Sequence, residues 1–271
     1  MNPSRNDQGL EWQTGIWDRI SGLYAQEVDR RFVPVVEAVI ARAALKPGER
    51  VLDLGTGTGA VAAHAAAVVG RDGGVIGNDI SSDMLLLAKR RVTDLGLKNV
   101  EFRKGRAEAI PGEDSTFDAV LASLSLMYVI DRGAAAREIA RVLRPGGRLV
   151  AAVWAASEEC DIVTFQQTAG RFAPAPPVPG VGPGALADPG AFLSQLSRAG
   201  IRTQVEQQQL GFDFDDFESA WEVLAGVTTA QLARETQEEA KKAVRDLMWS
   251  GTDGPRHFRN TTQFIMGSAG G

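Results

Sequence analysis

A chain of 271 residues, 44% hydrophobic and 23% charged, carries enough apolar surface for one large core or two modest ones, which excludes a disordered chain. A formal net charge of −5 argues against affinity drawn from nucleic-acid phosphates, which needs clustered cations, and favours a small-molecule substrate. No apolar run reaches the length of about eighteen residues that spans a bilayer, and the N-terminal stretch has no apolar export segment. The sequence therefore predicts a cytoplasmic protein without membrane contact. Its single cysteine, Cys160, has no disulfide partner, and with His64 and His257 it makes no metal-ligand spacing.

In chain order, residues 9–45 predict two helices carrying Trp12, Trp17, Tyr24 and Phe32, an N-terminal segment (1–45) expected to cover a site. From 46 to 155 short apolar runs, VLDLG, VIGND, VEFRKG, FDAVLAS and RLVAAVW, alternate with Ala-rich or Leu-rich amphipathic stretches. That rhythm means parallel strands with crossover helices, a doubly wound α/β sheet. Gly70 with Asp72-Gly73-Gly74 and Pro145-Gly146-Gly147 supply helix stops, and Asp131 a helix N-cap. Residues 156–190 are expected to be a Pro/Gly-rich loop, densest at 174–189. The remainder, 191–271, predicts a helix, a strand over 203–214, a helical cap over 216–249 and a closing strand, giving a mostly parallel sheet of seven strands (α/β).

The stretch VLDLGTGTGA (51–60) runs from an apolar strand into alternating glycines. In a doubly wound sheet this first turn lies at the switch point, where ligands meet the carboxyl ends of the strands. Gly55, Gly57 and Gly59 remove Cβ atoms, and the next helix N-terminus welcomes an anionic group. Gly55-x-Gly57-x-x-Ala60 satisfies a loose dinucleotide fingerprint, and Asp79, placed to hold ribose hydroxyls, suits either of two cofactor classes. Asp53 discriminates: a carboxylate two residues before the first glycine repels a pyrophosphate but favours an ammonium or sulfonium. The reading is S-adenosylmethionine, with an NAD(P)-dependent oxidoreductase as the rival.

The motifs VLDLGTGTG, GNDISSDML, GRAEAIP, STFDAVLASLSLMYV and REIARVLRPGGRLVAAVW, in that order, resemble the class I S-adenosylmethionine-dependent methyltransferases, in particular their ubiquinone/menaquinone-biosynthesis-like branch. The resemblance covers about residues 30–155. It implies a Rossmann-like sheet, Gly55, Gly57 and Gly59 along the methionine part of the cofactor, Asp79 on the ribose, Ile80 over the adenine and the Ala107 amide on an adenine ring nitrogen. Thr56, Met84 and Ser123 join that cofactor set. Arg106 departs from the family's acidic residue and, having donors only, cannot accept from the adenine amino group; Glu108, a backbone carbonyl or stacking of Arg106 itself are the alternatives.

Amine-directed enzymes of this type often carry an acidic residue or Asn followed by Pro-Pro and an aromatic after the fourth strand. Here the segment reads ASLSLMY (122–128), so a carbon or oxygen of a small, rather apolar acceptor is expected. Trp12, Trp17, Tyr24, Met127, Tyr128, Trp154, Trp221 and Trp249 are the expected acceptor-pocket residues, because such pockets are lined by apolar and aromatic side chains. His257 and Tyr128 are the candidate bases, although positioning two reactants in line needs none. A protein that binds the cofactor without methylating stands as a further alternative, and the oligomeric state is not legible.

Overall fold

The computed structural model describes residues 4–251 and 253–270; Met1, Asn2 and Pro3 of the N-terminal segment, Thr252 just past the expected cap, and Gly271 lie outside the described residues. Helix α1 (Arg5–Leu23) opens on a capping box in which Ser4 and Asp7 satisfy each other's amides. It runs through a π-helical turn, Tyr24–Val28, directly into α2 (Asp29–Ala43). The two helices expected over 9–45 are thus joined without a loop. A π turn of this kind often marks a functional segment.

The sheet follows: β1 (Arg50–Leu54), α3 (Ala60–Val69), β2 (Gly74–Asp79), α4 (Ser82–Asp94), β3 (Val100–Lys104), β4 (Phe117–Ser123), α5 (Arg132–Val142) and β5 (Leu143–Trp154). Gly70 ends α3 at φ +69°, and the Asp131 side chain accepts from the Ala134 amide at 2.8 Å to start α5, as their residue types dictate. After β5 come α6 (Asp161–Gly170), α7 (Gly190–Arg198), β6 (Ile201–Phe214), α8 (Phe217–Leu224), α9 (Gly226–Thr229), α10 (Arg234–Met248) and β7 (Arg256–Ala269).

Strand order in the seven-stranded sheet is β3-β2-β1-β4-β5-β7-β6. The first five are mutually parallel, while β7 pairs antiparallel with both β5 and β6. The order reverses at β1, so the glycine turn after Leu54 opens at the topological switch point. Every residue of β4 from Phe117 to Ala122 is buried, as a central strand covered on both faces requires.

One expectation is corrected here. The Pro/Gly-rich loop over 156–190 contains α6, because Ile162, Val163, Phe165 and Ala169 recur at helical spacing and bury against the core; only the Pro-dense part after it lacks regular structure. Most buried apolar residues form one core around β1, β4 and β5, but Ile16 and Ile20 of α1 form a separate small cluster with Met84. Helix α1 is tied to the body by that cluster, by the Ser81 hydroxyl donating to Asp18 at 2.5 Å and the Arg5 guanidinium donating to the Pro177 carbonyl at 2.7 Å, and by the Trp17 ring set against Tyr128.

Candidate functional site

A cavity of about 820 Å³, open to solvent, lies at the carboxyl ends of β1, β2 and β4. Gly57 lies in its wall at φ +53°, and a Cβ there would meet no protein atom within 4 Å. The chain thus turns its bare backbone toward a space that a side chain would fill. Gly55 also lines the cavity, packed against Ser125, whose hydroxyl donates to the Leu54 carbonyl at 2.7 Å. Asp79 also lines the cavity. Its two carboxylate oxygens accept the Gly57 and Ser81 amides, each at 2.9 Å, leaving further lone pairs toward the cavity. Burial raises the Asp79 carboxyl above the usual range, with Asp18 adding to the rise and the surrounding amides opposing it.

Ile80, Met84, Arg106, Ala107, Glu108 and Ser123 line this cavity. Arg106 is exposed at the mouth, and Glu108 is already committed, accepting the Asp131 amide at 3.2 Å. Asp53, Thr56 and Gly59 do not line it, and their places are corrected. Strand alternation turns Asp53 beneath the turn, where it is buried and accepts the Thr56 hydroxyl at 2.6 Å. Burial pushes its carboxyl up to about 7. Gly59, at φ +81°, instead lets α3 start against α4: a Cβ would stand 2.9 Å from that of Ala88.

Sequence reasoning missed two buried amides on the same wall. Gln13, 5% exposed, and Asn78, 1% exposed, each carry a side-chain nitrogen without a hydrogen-bond partner, and both line the cavity. Gln13 was findable: it interrupts the apolar stripe Leu10, Trp17, Ile20 of α1 at helical spacing. Asn78 was not, because its only signal is Gly105, whose hypothetical Cβ would sit 2.8 Å from the Asn78 amide nitrogen. Two orphaned donors beside an anionic carboxylate ask for a ligand rich in acceptors and hydroxyls.

A second chamber of about 540 Å³ adjoins the first and shares Trp17, Tyr24, Leu124 and Tyr128 with it. The rings are locked edge to face: Trp17 stands 4.9 Å from Tyr128 and 6.3 Å from Tyr24, and Phe32 stands 5.6 Å from Trp154. Met127 also lines it, with Val28 of the π turn. The cap contributes Val223, Leu224 and Val227, and α6 contributes Ile162 and Gln166. Leu124, at the junction, has φ +54°, a strained conformation for a branched side chain and one that no sequence rule announces.

Trp12, Trp221 and Trp249 lie outside both chambers, which corrects their expected role. Trp12 is 36% exposed on α1. Trp221 packs against Phe165 and Phe217, and Trp249 against Phe217 and Phe258, because rings this large are consumed in seating the cap on the sheet. His257 is also corrected. It is exposed near the start of β7, its Nδ1 2.8 Å from the Asp213 carboxylate across the β6 pairing, and lines neither chamber. The Tyr128 and Tyr24 hydroxyls are both pushed up by burial, so neither ionises readily. Cys160 is buried, its thiol beside the Asn260 side-chain oxygen at 3.4 Å and pushed up to about 12 by burial. His64 lies on α3, with Nδ1 2.8 Å from the Ala60 carbonyl.

Residues 45–174 match the profile of a family described as a methyltransferase domain. The chain is 40% identical over 112 residues to the ubiquinone/menaquinone biosynthesis C-methyltransferase UbiE of Francisella tularensis subsp. holarctica. That alignment covers 41% of this chain and 45% of the relative, so the chain spans less than half the length of the curated relative it matches. Its fold is similar to that of the YcgJ protein of Bacillus subtilis (TM-score 0.63, 22% identity, covering 87% of this chain and 98% of that one). It is also similar to phosphoethanolamine N-methyltransferase 2 of Haemonchus contortus, solved with phosphomonomethylethanolamine and S-adenosylhomocysteine (TM-score 0.61, 18% identity, covering 100% of this chain and 61% of that one). Among the described residues no helix is long and apolar enough to cross a membrane.

Proposed function

Because residues 45–174 belong to the methyltransferase-domain family, we propose that the chain moves a methyl group from S-adenosylmethionine to a carbon or oxygen of a small organic molecule. The observation that carries this reading is the junction of two unlike chambers. One sets bare backbone, a carboxylate and orphaned amides among apolar side chains; the other carries no charged side chain; and they meet at Trp17, Tyr24, Leu124 and Tyr128.

The first chamber's residues fit the cofactor. The Gly55–Gly57 turn takes the methionine part, Asp79 the ribose hydroxyls, and Ile80 and Met84 the adenine. Gln13 and Asn78 offer donors to its acceptor atoms. When bound, S-adenosylmethionine supplies a methyl already activated by a sulfonium. What the chain must add is orientation, and the interlocked rings at the junction fix the acceptor's approach while the chamber wall excludes water. No Asp, Glu, Lys, Arg or His side chain lines the second chamber among the described residues. The acceptor atom is therefore nucleophilic by its own chemistry, as an enol, a phenol or an electron-rich ring carbon is; as the bond to the methyl forms and the sulfonium C–S bond breaks, the acceptor's proton would pass to solvent through the open first chamber.

Titration calorimetry of the full chain with S-adenosylmethionine, S-adenosylhomocysteine and NAD tests the cofactor directly. Micromolar binding of the first two and none of the third is expected. Binding of NAD alone would return the rival oxidoreductase. Mass spectrometry of product from a labelled methyl donor then identifies the methylated atom.

A further inference from the structure

Gln166 is the feature of the second chamber that packing does not explain. It lies on α6 among Ile162, Val163, Phe165 and Ala169, all buried, yet is itself a polar amide only 7% exposed. It faces the chamber and makes no side-chain hydrogen bond with any described residue. In Gln263, by contrast, the buried amide donates to the Leu186 and Ala187 carbonyls at 3.2 and 2.9 Å. Unlike the Gln13 and Asn78 nitrogens, the Gln166 amide is not sealed off by protein atoms, so it stands available to a group bound in the chamber, whereas a wall shaped for packing alone would carry leucine or methionine at this position.

Two further observations narrow what would pair with it. Apart from the Tyr24 and Tyr128 hydroxyls at the junction with the first chamber, the remaining lining is apolar, with no charged side chain to neutralise an ionic ligand, and burying an unpaired charge there is heavily disfavoured. Its aromatic walls, Trp17, Phe32, Tyr128 and Trp154, present ring edges and faces that suit a planar apolar skeleton.

We infer that the second chamber selects an uncharged, planar apolar acceptor bearing one hydroxyl or carbonyl, and that Gln166 determines this specificity by hydrogen bonding to that group. The inference rests on the reading of the second chamber as the acceptor site. A zwitterionic amine or a phosphate ester is excluded as a ligand of this chamber.

Trp17 and Trp154 line the chamber, so intrinsic fluorescence reports its occupancy without any turnover. Three probes of one size are titrated into the full chain: 4-propylphenol, propylbenzene and 4-propylbenzoate. The wild type is expected to bind the phenol saturably and at least about tenfold more tightly than either of the others, from one neutral hydrogen bond and its buried setting. Gln166→Met, which keeps volume and so the fold, is expected to abolish the preference for phenol over propylbenzene; Gln166→Leu provides a second variant should the first lower the melting temperature. S-adenosylmethionine titrations run in parallel keep the two readings separate. Unchanged cofactor affinity with a lost phenol preference supports the assignment. A wild type that binds the benzoate as well as the phenol, fails to bind the phenol, or keeps its preference without Gln166 overturns it. Absence of S-adenosylmethionine binding would instead sink the methyltransferase reading, whatever the probes do.

Discussion

The first chamber sets backbone, carboxylate and amide groups among apolar side chains, and the second is lined chiefly by rings and aliphatic side chains, with Gln166 among them; they touch along four residues yet are assembled in different ways. The first takes most of its polar character from strand ends that are close in sequence: Gly55 and Gly57 after β1, Asn78 and Asp79 at the end of β2. The second draws on α1, the π turn, α2, the segment after β4, the end of β5, α6, α8 and α9. A local backbone device can hold an invariant ligand part, because hydrogen bonds to fixed amides and carboxylates tolerate no variation. A chamber assembled from distant elements can be reshaped one residue at a time, which suits a variable acceptor.

The comparison breaks most visibly at Gly57. Gly57→Val is expected to abolish cofactor binding, weakening it more than a hundredfold, since the side chain enters the ligand's space and disfavours φ +53°. The fold should survive. Gly59→Val should do the reverse and lower the melting temperature sharply, because its Cβ meets Ala88. Equal losses of binding and melting temperature in the two variants would erase the distinction between ligand wall and helix packing.

Asp53 sharpens the contrast from beneath the turn. Its folded carboxyl is raised to about 7 from 3.8, chiefly by burial. The stabilising protonated form is thus fully present below about pH 4, and its contribution is lost as pH rises through about 7. Asp53→Asn keeps the acceptor for the Thr56 hydroxyl and removes that loss. Its stability advantage over the wild type should grow from pH 4 to pH 7, reaching on the order of 2–4 kcal/mol at pH 8. Denaturant unfolding at pH 5 and pH 8 measures it; a difference independent of pH would mean that Asp53 is ionised in the fold throughout.

Asp79 lies on the ligand side of the same turn. Asp79→Ala should weaken S-adenosylmethionine by about 1.5–3 kcal/mol, the range for hydrogen bonds to a charged group. Calorimetry on a folded variant that retains full affinity would remove Asp79 from the site. The smallest effect is expected in the second chamber. Val227→Ala, on half-buried α9, removes two methyl groups from the wall and should raise acceptor KM about three- to tenfold while leaving cofactor affinity unchanged. Parallel losses of both would show that the chambers are not separable.

Much of the first chamber was readable from the chain alone. The glycine spacing, Asp79 at the end of the second strand, and the motif from Gly105 to Glu108 mark positions where local backbone geometry and residue chemistry coincide. Asp53 and Gly59 were assigned to the ligand because they share that motif. Yet strand alternation turns Asp53 beneath the turn, and close helix packing claims Gly59. The aromatic residues divided by what they pack against rather than by type or burial. Trp17 and Trp154 face the second chamber, while Trp221 and Trp249 spend their surface seating the cap.

By itself, then, the sequence determined the alternation of strands and helices, the switch-point turn and the carboxylate that faces it, since each depends on residues within a few positions of one another and on periods of two and 3.6. Tertiary structure alone decided which side of the turn Asp53 takes, the strained backbone at Leu124, the orphaned amides of Gln13 and Asn78, the place of Gln166 in the wall of the second chamber, and the replacement of the cap's tryptophans by Val223, Leu224 and Val227 as pocket lining. Those outcomes depend on which surfaces remain unburied after α1, α6 and the cap helices have packed against the sheet, and that remainder is a property of the assembled volume that no local pattern encodes.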